Sequence, residues 1–170
     1  MGRLVSQQGY KAMNLLRDTE WGDLEIVAED MREADVMEVK AASGLSPRTC
    51  LIYSYGISKP MKTMLSHSQK PIAIGGVVPD ELNPRVGRVW MLGTNAMVDD
   101  FTNRHRFLRN IKTWVGDLDQ QYDVLWNYMD ARNTVHKKWL DWMGFTFTAK
   151  QPNYGAEGRL FLEFCKVTHV

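Results

Sequence analysis

A chain of 170 residues with 44% apolar residues and a net charge of +1 is long enough for one domain with its own core, and its balance implies neither disorder nor a strongly electrostatic partner. No window approaches the roughly 18 to 20 apolar residues of a membrane span, and the N-terminus lacks a signal-peptide core, so a soluble intracellular protein without a clear nucleic-acid signal is expected. Cys50 and Cys165 are far apart and form no CxxC, which favours reduced, buried thiols over a disulfide or a metal site.

Residues 1–20 mix Gly2, Gln7, Gln8 and Gly9 with a short helical pattern at Met13, Leu15 and Leu16, and read as an N-terminal extension, either frayed or a partner-binding helix. A single domain then spans 21–170. Leu24, Ile26 and Ala28 alternate with charged residues and predict a first strand. Asp30 is placed to cap a helix with Ala34, Met37 and Ala41 on one face, stopped by Gly44. Ser46-Pro47 restarts a helix, because Ser caps and Pro is pre-set for the first helical position. Its buried side is Leu51, Ile52, Tyr55 and Ile57, and Gly56 and Pro60 bound it.

Met61 to Leu65 and Pro71 to Val78 form a predicted hairpin around His67-Ser68-Gln69-Lys70. Gly75-Gly76 inside its second strand implies a bulge or a close neighbour. Arg88 to Leu92 is the next strand, ending at Gly93-Thr94. After Val98-Asp99-Asp100 a long helix runs to about Leu118, with Phe107, Leu108, Ile111, Trp114, Val115 and Leu118 as its apolar stripe. Val124, Leu125, Trp126, Tyr128 and Met129 then form a strand apolar on both faces, as a central strand should be, with only Asn127 interrupting. Asn133 is placed to cap a helix carrying Val135, Trp139, Trp142 and Met143 on one face. Gly144 ends it, Phe145 and Phe147 begin a strand, Lys150 to Gly158 is a loop, and Arg159 to Val167 is the final strand.

Strand, Asn-capped helix, Gly-Phe and strand, carried by Asn133, Gly144 and Phe145, resembles the C-terminal half of the GNAT superfamily, the acetyl-CoA-dependent N-acyltransferases. Trp90 to Thr94 and Tyr122 to Asn133 are most similar to a small GNAT-like family from short-tailed phages, whose gene-thirteen type proteins are implicated in assembling the internal virion core. The similarity runs from about Met31 to Phe164. The implied fold class is α/β (α+β): a mixed, largely antiparallel central sheet of about seven strands, helices on both faces, and splayed fourth and fifth strands. The implied partners are a phage virion or host protein, and the implied location is the host cytoplasm or the virion.

The superfamily's chemistry transfers poorly. Its enzymes bind the cofactor pyrophosphate on backbone N–H groups of a Gly-rich turn opening the long helix, where a helix N-terminus favours an anion. Here Thr94 to Asn103 contains no glycine, and Asp99 and Asp100 put carboxylates there. Their ordinary role is first-turn charge on a helix, and Arg104, His105 and Arg106 are more often a solvated face than a phosphate contact. The Tyr that protonates the leaving thiolate in many relatives corresponds to Leu140. His136 could substitute in principle but falls on the polar side of its helix. Asp130, Asn127 and Tyr128 are the candidates for a base, with Asp130 and Tyr128 the catalytic choices, although Asp130 also suits a turn. Leu92, Thr94, Asn95, Arg104 and Asn133 are the candidate acetyl-CoA contacts, and the predicted cleft is lined by Leu92, Thr94, Asn127 and Asp130.

Two functions remain open: a binding protein of virion assembly or host interaction with a degenerate acetyl-CoA site, or an N-acetyltransferase using acetyl-CoA on a host or phage protein. No metal site and no rival catalytic motif compete with them.

Overall fold

The computed structural model describes residues 15–168. The readings placed on Gly2, Gln7, Gln8, Gly9 and Met13 therefore lie outside the described residues. The elements are β1 (Leu16–Asp18), α1 (Trp21–Glu29), α2 (Glu33–Ser43), α3 (Pro47–Ile57), β2 (Met61–Leu65), β3 (Pro71–Pro79), β4 (Val86–Gly93), α4 (Ala96–Asp99), α5 (Phe101–Leu118), β5 (Val124–Asp130), α6 (Thr134–Trp142), β6 (Thr146–Tyr154) and β7 (Arg159–Val167). They build a seven-stranded sheet in the order β1-β2-β3-β4-β5-β7-β6, antiparallel except for β4 against β5. One face packs α5 and α6 through Phe107, Ile111, Trp114, Trp139 and Leu140. The other packs α1 and α3 through Leu24, Val27 and Leu51.

Where the local chemistry was unambiguous, the elements fall at the expected residues. Ser46 caps α3 by accepting from the Thr49 N–H, with Pro47 at the first turn. Gly44 closes α2 in the left-handed conformation, its N–H donating to the Lys40 carbonyl. The β2–β3 hairpin pairs Met61 with Gly76 and Lys62 with Gly75. The two glycines have a steric reason: a Cβ at Gly75 would meet the Trp114 ring at 3.1 Å, and one at Gly76 would meet Met61 at 2.9 Å. Trp126 and Tyr128 sit on β5 between β4 and β7, in the centre of the sheet.

Five expectations are corrected. The first strand is Leu16–Asp18, inside the segment read as an extension, and Leu24, Ile26 and Ala28 lie instead on helix α1. Leu24 and Val27 are buried at helical spacing, and a capping box between Glu20 and Asp23 fixes the helix start. Asp30 ends α1, while Arg32 occupies the N-cap of α2, whose buried positions are Asp35, Val39 and Ala41 and whose Met37 is exposed. Tyr55 and Ile57 lie on the exposed side of α3, which continues through Gly56. In α6 the inward face is His136, Trp139, Leu140 and, just past its end, Met143, leaving Val135 and Trp142 exposed. Finally, β6 continues to Tyr154 through Pro152, which an edge strand tolerates because the missing N–H faces away from the sheet.

Candidate functional site

The parallel pair β4–β5 is hydrogen-bonded only from Val86/Val124 to Arg88/Trp126. Beyond that point the strands part, and a cavity of about 200 Å³ passes through the sheet at the opening. Its walls come from both faces: Val89 to Leu92 of β4, Asn127 and Tyr128 of β5, Ile111 and Trp114 of α5, His136 and Leu140 of α6, and Glu38, Val39 and Ala42 of α2. The lining is mostly apolar and aromatic.

Strand separation leaves backbone groups that need partners, since an unpaired buried amide or carbonyl costs free energy. This chain supplies them itself. The Asn127 side chain spans the gap, its amide donating to the Val89 carbonyl at 2.9 Å while its oxygen accepts from the Tyr128 N–H at 2.8 Å. At the far end of β4, the Gly93 N–H donates to Asp35 at 2.9 Å and the Gly93 carbonyl accepts from the Arg32 N–H at 2.9 Å. Arg32 and Asp35 are themselves a buried ion pair at the start of α2.

The entrance to α5 is similarly self-sufficient. Asp100 is its N-cap, and its carboxylate accepts from the Asn103 N–H at 2.9 Å. The preceding residues are wound into α4, where the Val98 and Asp99 N–H groups donate to the Asn95 carbonyl. The Val98, Asp99 and Asn103 amides are thus satisfied by the chain's own carbonyl and carboxylate. An anion at this helix start would meet the Asp100 carboxylate.

The candidate residues separate into two groups. Leu92, Asn127 and Tyr128 line the cavity. Asn133 adjoins it: its oxygen caps α6 through the His136 N–H, and its amide donates to Glu38, a wall residue, at 2.9 Å. Thr94, Asn95, Arg104 and Asp130 are not brought to the cavity. Thr94 is buried and donates through its hydroxyl to the Ile72 carbonyl. Asn95 is exposed before α4, and the Arg104 guanidinium lies over the Phe101 ring, 5.5 Å from its centroid. Asp130 is buried beneath Arg132, which grips both carboxylate oxygens at 3.0 and 3.1 Å through Nε.

The proton chemistry of the two catalytic candidates is unfavourable for a base. Burial raises the Asp130 carboxyl, but hydrogen bonds from the Arg132 side chain and backbone outweigh it and leave the group below the ordinary carboxylate range. For Tyr128, burial together with the neighbouring Glu163 raises the phenol, which makes the phenolate still scarcer at neutral pH. Leu140, at the position of the expected tyrosine, does line the cavity and offers no proton. His136 corrects the expectation of an exposed histidine: it is mostly buried, and Nδ1 stands 3.9 Å from Glu38. Among the described residues no cluster of three His, Cys, Asp or Glu side chains is placed to hold a metal, and no helix is long and apolar enough to cross a membrane.

Sequence reasoning missed Asp35 and Glu38. They recur at a spacing of three on α2 and face the opening, and that polar stripe was the signal available.

Comparison with known proteins bears on the family and the fold. Residues 62–151 match the family model described as "Bacteriophage T7, probable scaffold protein Gp13". A protein of Escherichia phage T7, "Probable scaffold protein gp13", is 29% identical over 136 residues, covering 79% of this chain and 86% of the T7 protein. Solved structures share the GNAT fold at low identity. A phosphinothricin acetyltransferase from Sinorhizobium meliloti, crystallised with acetyl-CoA, gives a TM-score of 0.69 at 14% identity, covering 89% of this chain and 86% of its own. A ribosomal-protein-alanine N-acetyltransferase from Brucella melitensis gives 0.66 at 14% identity, covering 91% and 99%.

Proposed function

Because the chain belongs to the phage T7 Gp13 family, we propose that it acts in virion assembly as a GNAT-fold binding protein, with an acetyl-CoA site that has been closed by its own side chains. The T7 relative's description as a probable scaffold protein supports the assembly role. The observation that carries the loss of cofactor binding is the Asp100 carboxylate capping α5 at 2.9 Å, where the fold's enzymes would receive an anion. Asn127, stitched across the opening between β4 and β5, supports the same reading. The surface of the fold then does the work, with partners among virion or host proteins and a location in the host cytoplasm or the particle. Fold alone does not fix function, and the likeness to the acetyltransferases is one of fold.

One feature favours the second reading, an acetyl-CoA-dependent N-acetyltransferase: the cavity through the splay persists, with Glu38 and His136 in its wall. Calorimetric titration with acetyl-CoA at low salt separates the two. The binding reading expects weak or undetectable heat for the parent and improved binding after Asp99→Gly with Asp100→Gly. Tight binding by the parent overturns it. The assembly role is checked independently by deleting the gene from the phage that encodes it and comparing the internal proteins of the particles, which should change; unaltered, fully infectious particles refute that role.

A further inference from the structure

The outer surface of α5 carries a run of cations, Arg104, Arg106, Arg109 and Lys112, along one helix. Several exposed cations elsewhere meet carboxylates: Arg48 with Glu25, Lys70 with Asp30, Arg85 with Asp123 and Lys137 with Asp141. Among the described residues Arg109 and Lys112 have no carboxylate within salt-bridge distance. Three residues apart on α5, they share one wall of an open groove of about 470 Å³ between α5 and α6, lined by His105, Leu108, Arg109, Lys112, Thr113 and Trp142. No carboxylate lines it. Trp142 is 47% exposed, an unusual state for the largest apolar side chain, and the Lys112 ammonium lies 4.6 Å from its ring centroid. Val135, two turns earlier on the same side of α6, is 43% exposed.

We propose that this groove docks a short acidic segment of a partner protein, an apolar side chain seated against Leu108 and Trp142 with flanking carboxylates on Arg109 and Lys112. The proposal deepens the binding role above and rests on it. Charge complementarity selects the occupant, and exposed Trp with Arg is the composition that dominates binding energy at protein interfaces. A nucleic acid fits worse. The basic strip from Arg104 to Lys112 is only about 12 Å long at the helical rise, and it is closed by Asp99 and Asp100 at one end and Asp117 at the other. A backbone with a charge every few ångströms would run into them.

The test uses the full chain, isotopically labelled, and as probe a synthetic twelve-residue peptide of glutamates flanking a central leucine pair. Amide and indole shifts should move at His105, Leu108, Arg109, Lys112 and Trp142 and not around the cavity. Arg109→Glu with Lys112→Glu should weaken binding by about tenfold or more, as for a pair of interfacial charges, and Trp142→Ala should weaken it also; the two cationic side chains are solvent-facing, so melting of the charge-reversed variant should stay near the parent value. A lysine-for-glutamate peptide should not bind. Peptide binding indifferent to the charge reversal overturns the proposal. So does tighter binding of single-stranded oligothymidylate or adenosine 3′,5′-bisphosphate at this groove, or concentration-dependent self-association that buries Trp142. Particles normal in composition with the charge-reversed protein, while gene deletion alters them, would refute the groove and leave the assembly role standing.

Discussion

The two faces of the sheet are stabilised differently. Beneath α5 and α6 lies a continuous apolar layer running from Met64 and Ile72 through Phe107, Trp114 and Leu125 to Phe145 and Phe164. Beneath α1 and α3 the buried apolar cluster has five members, Leu24, Val27, Met31, Leu51 and Ile74. Buried charges accompany it. Arg17 grips Asp23, which also accepts from the Glu20 N–H and the Thr63 hydroxyl. Arg32 pairs with Asp35, which holds Gly93. An apolar layer tolerates nothing unpaired, whereas a polar layer stands or falls with the completeness of its hydrogen bonds. The face that closes the end of β4 is the polar one.

The largest effects should come from truncating each face's centre. Phe107→Ala, at 1% exposure, should cost about 3–5 kcal/mol in urea unfolding. Leu51→Ala should fall near the low end of about 2–5 kcal/mol, because its neighbours Ala28 and Ile52 are only partly buried and can relax into the space. Equal losses would erase the contrast between the layers.

Asp35→Ala should be of similar size, about 3–5 kcal/mol, because it leaves Arg32 buried without a counter-charge and the Gly93 N–H without an acceptor. Removing both charges as Arg32→Met with Asp35→Leu should recover part of that loss but not the share due to Gly93. A double variant no better than the single one would show that the pair does not act as a unit.

Acid should act first on the polar face. Burial works to raise the Asp23 carboxyl, but its hydrogen bonds from Arg17, the Glu20 N–H and Thr63 prevail and hold it below the ordinary value. Since the folded group titrates lower than the unfolded one, its contribution is complete above the unfolded value near 3.8 and is lost as pH falls through the folded value. Melting temperature should therefore drop below about pH 4, and Asp23→Asn should lower the neutral plateau while making that drop shallower. Asp130 is shifted the same way, so some slope should survive in the variant.

Much of this was legible because local chemistry and tertiary packing agree. Ser46-Pro47, Gly44, the β2–β3 hairpin and Asn133 each specify one conformation. Leu92 and Asn127 could be placed at the opening because strand order and a period of two locate them. Helix α1 was misread because Leu24, Ile26 and Ala28 satisfy a period of two as well as Leu24, Val27 and Met31 satisfy helical spacing, and a nine-residue window cannot arbitrate. Asp35 and Glu38 were missed for another reason: their stripe on α2 can be seen in the sequence, but not its role, because their partner Asn133 is 98 and 95 residues away. Only the docking of α2 beside β5 brings them together.

Asn133 joins the two layers, and its replacement should give the smallest and most informative effect. Its oxygen accepts from the His136 N–H at 3.3 Å, opening α6 on the apolar face, while its amide donates to Glu38 at 2.9 Å on the polar one. Asn133→Ala should cost about 0.5–2 kcal/mol for the cap. Ser can restore the cap acceptor but is too short to reach Glu38, so Asn133→Ser should recover only part of the loss. Asp caps as well as Asn, yet it would set a carboxylate against Glu38 and against Asp35, whose nearest oxygen is 3.4 Å from the present amide. At neutral pH the Asp variant should therefore be no more stable than the Ser variant, and it should gain on it as the medium is acidified toward pH 4 and one carboxylate takes a proton. Thermal melts of the three variants between pH 4 and 7 decide this. If Asp matches the parent at neutral pH, the amide's reach to α2 contributes nothing, and the two faces are joined by the sheet alone.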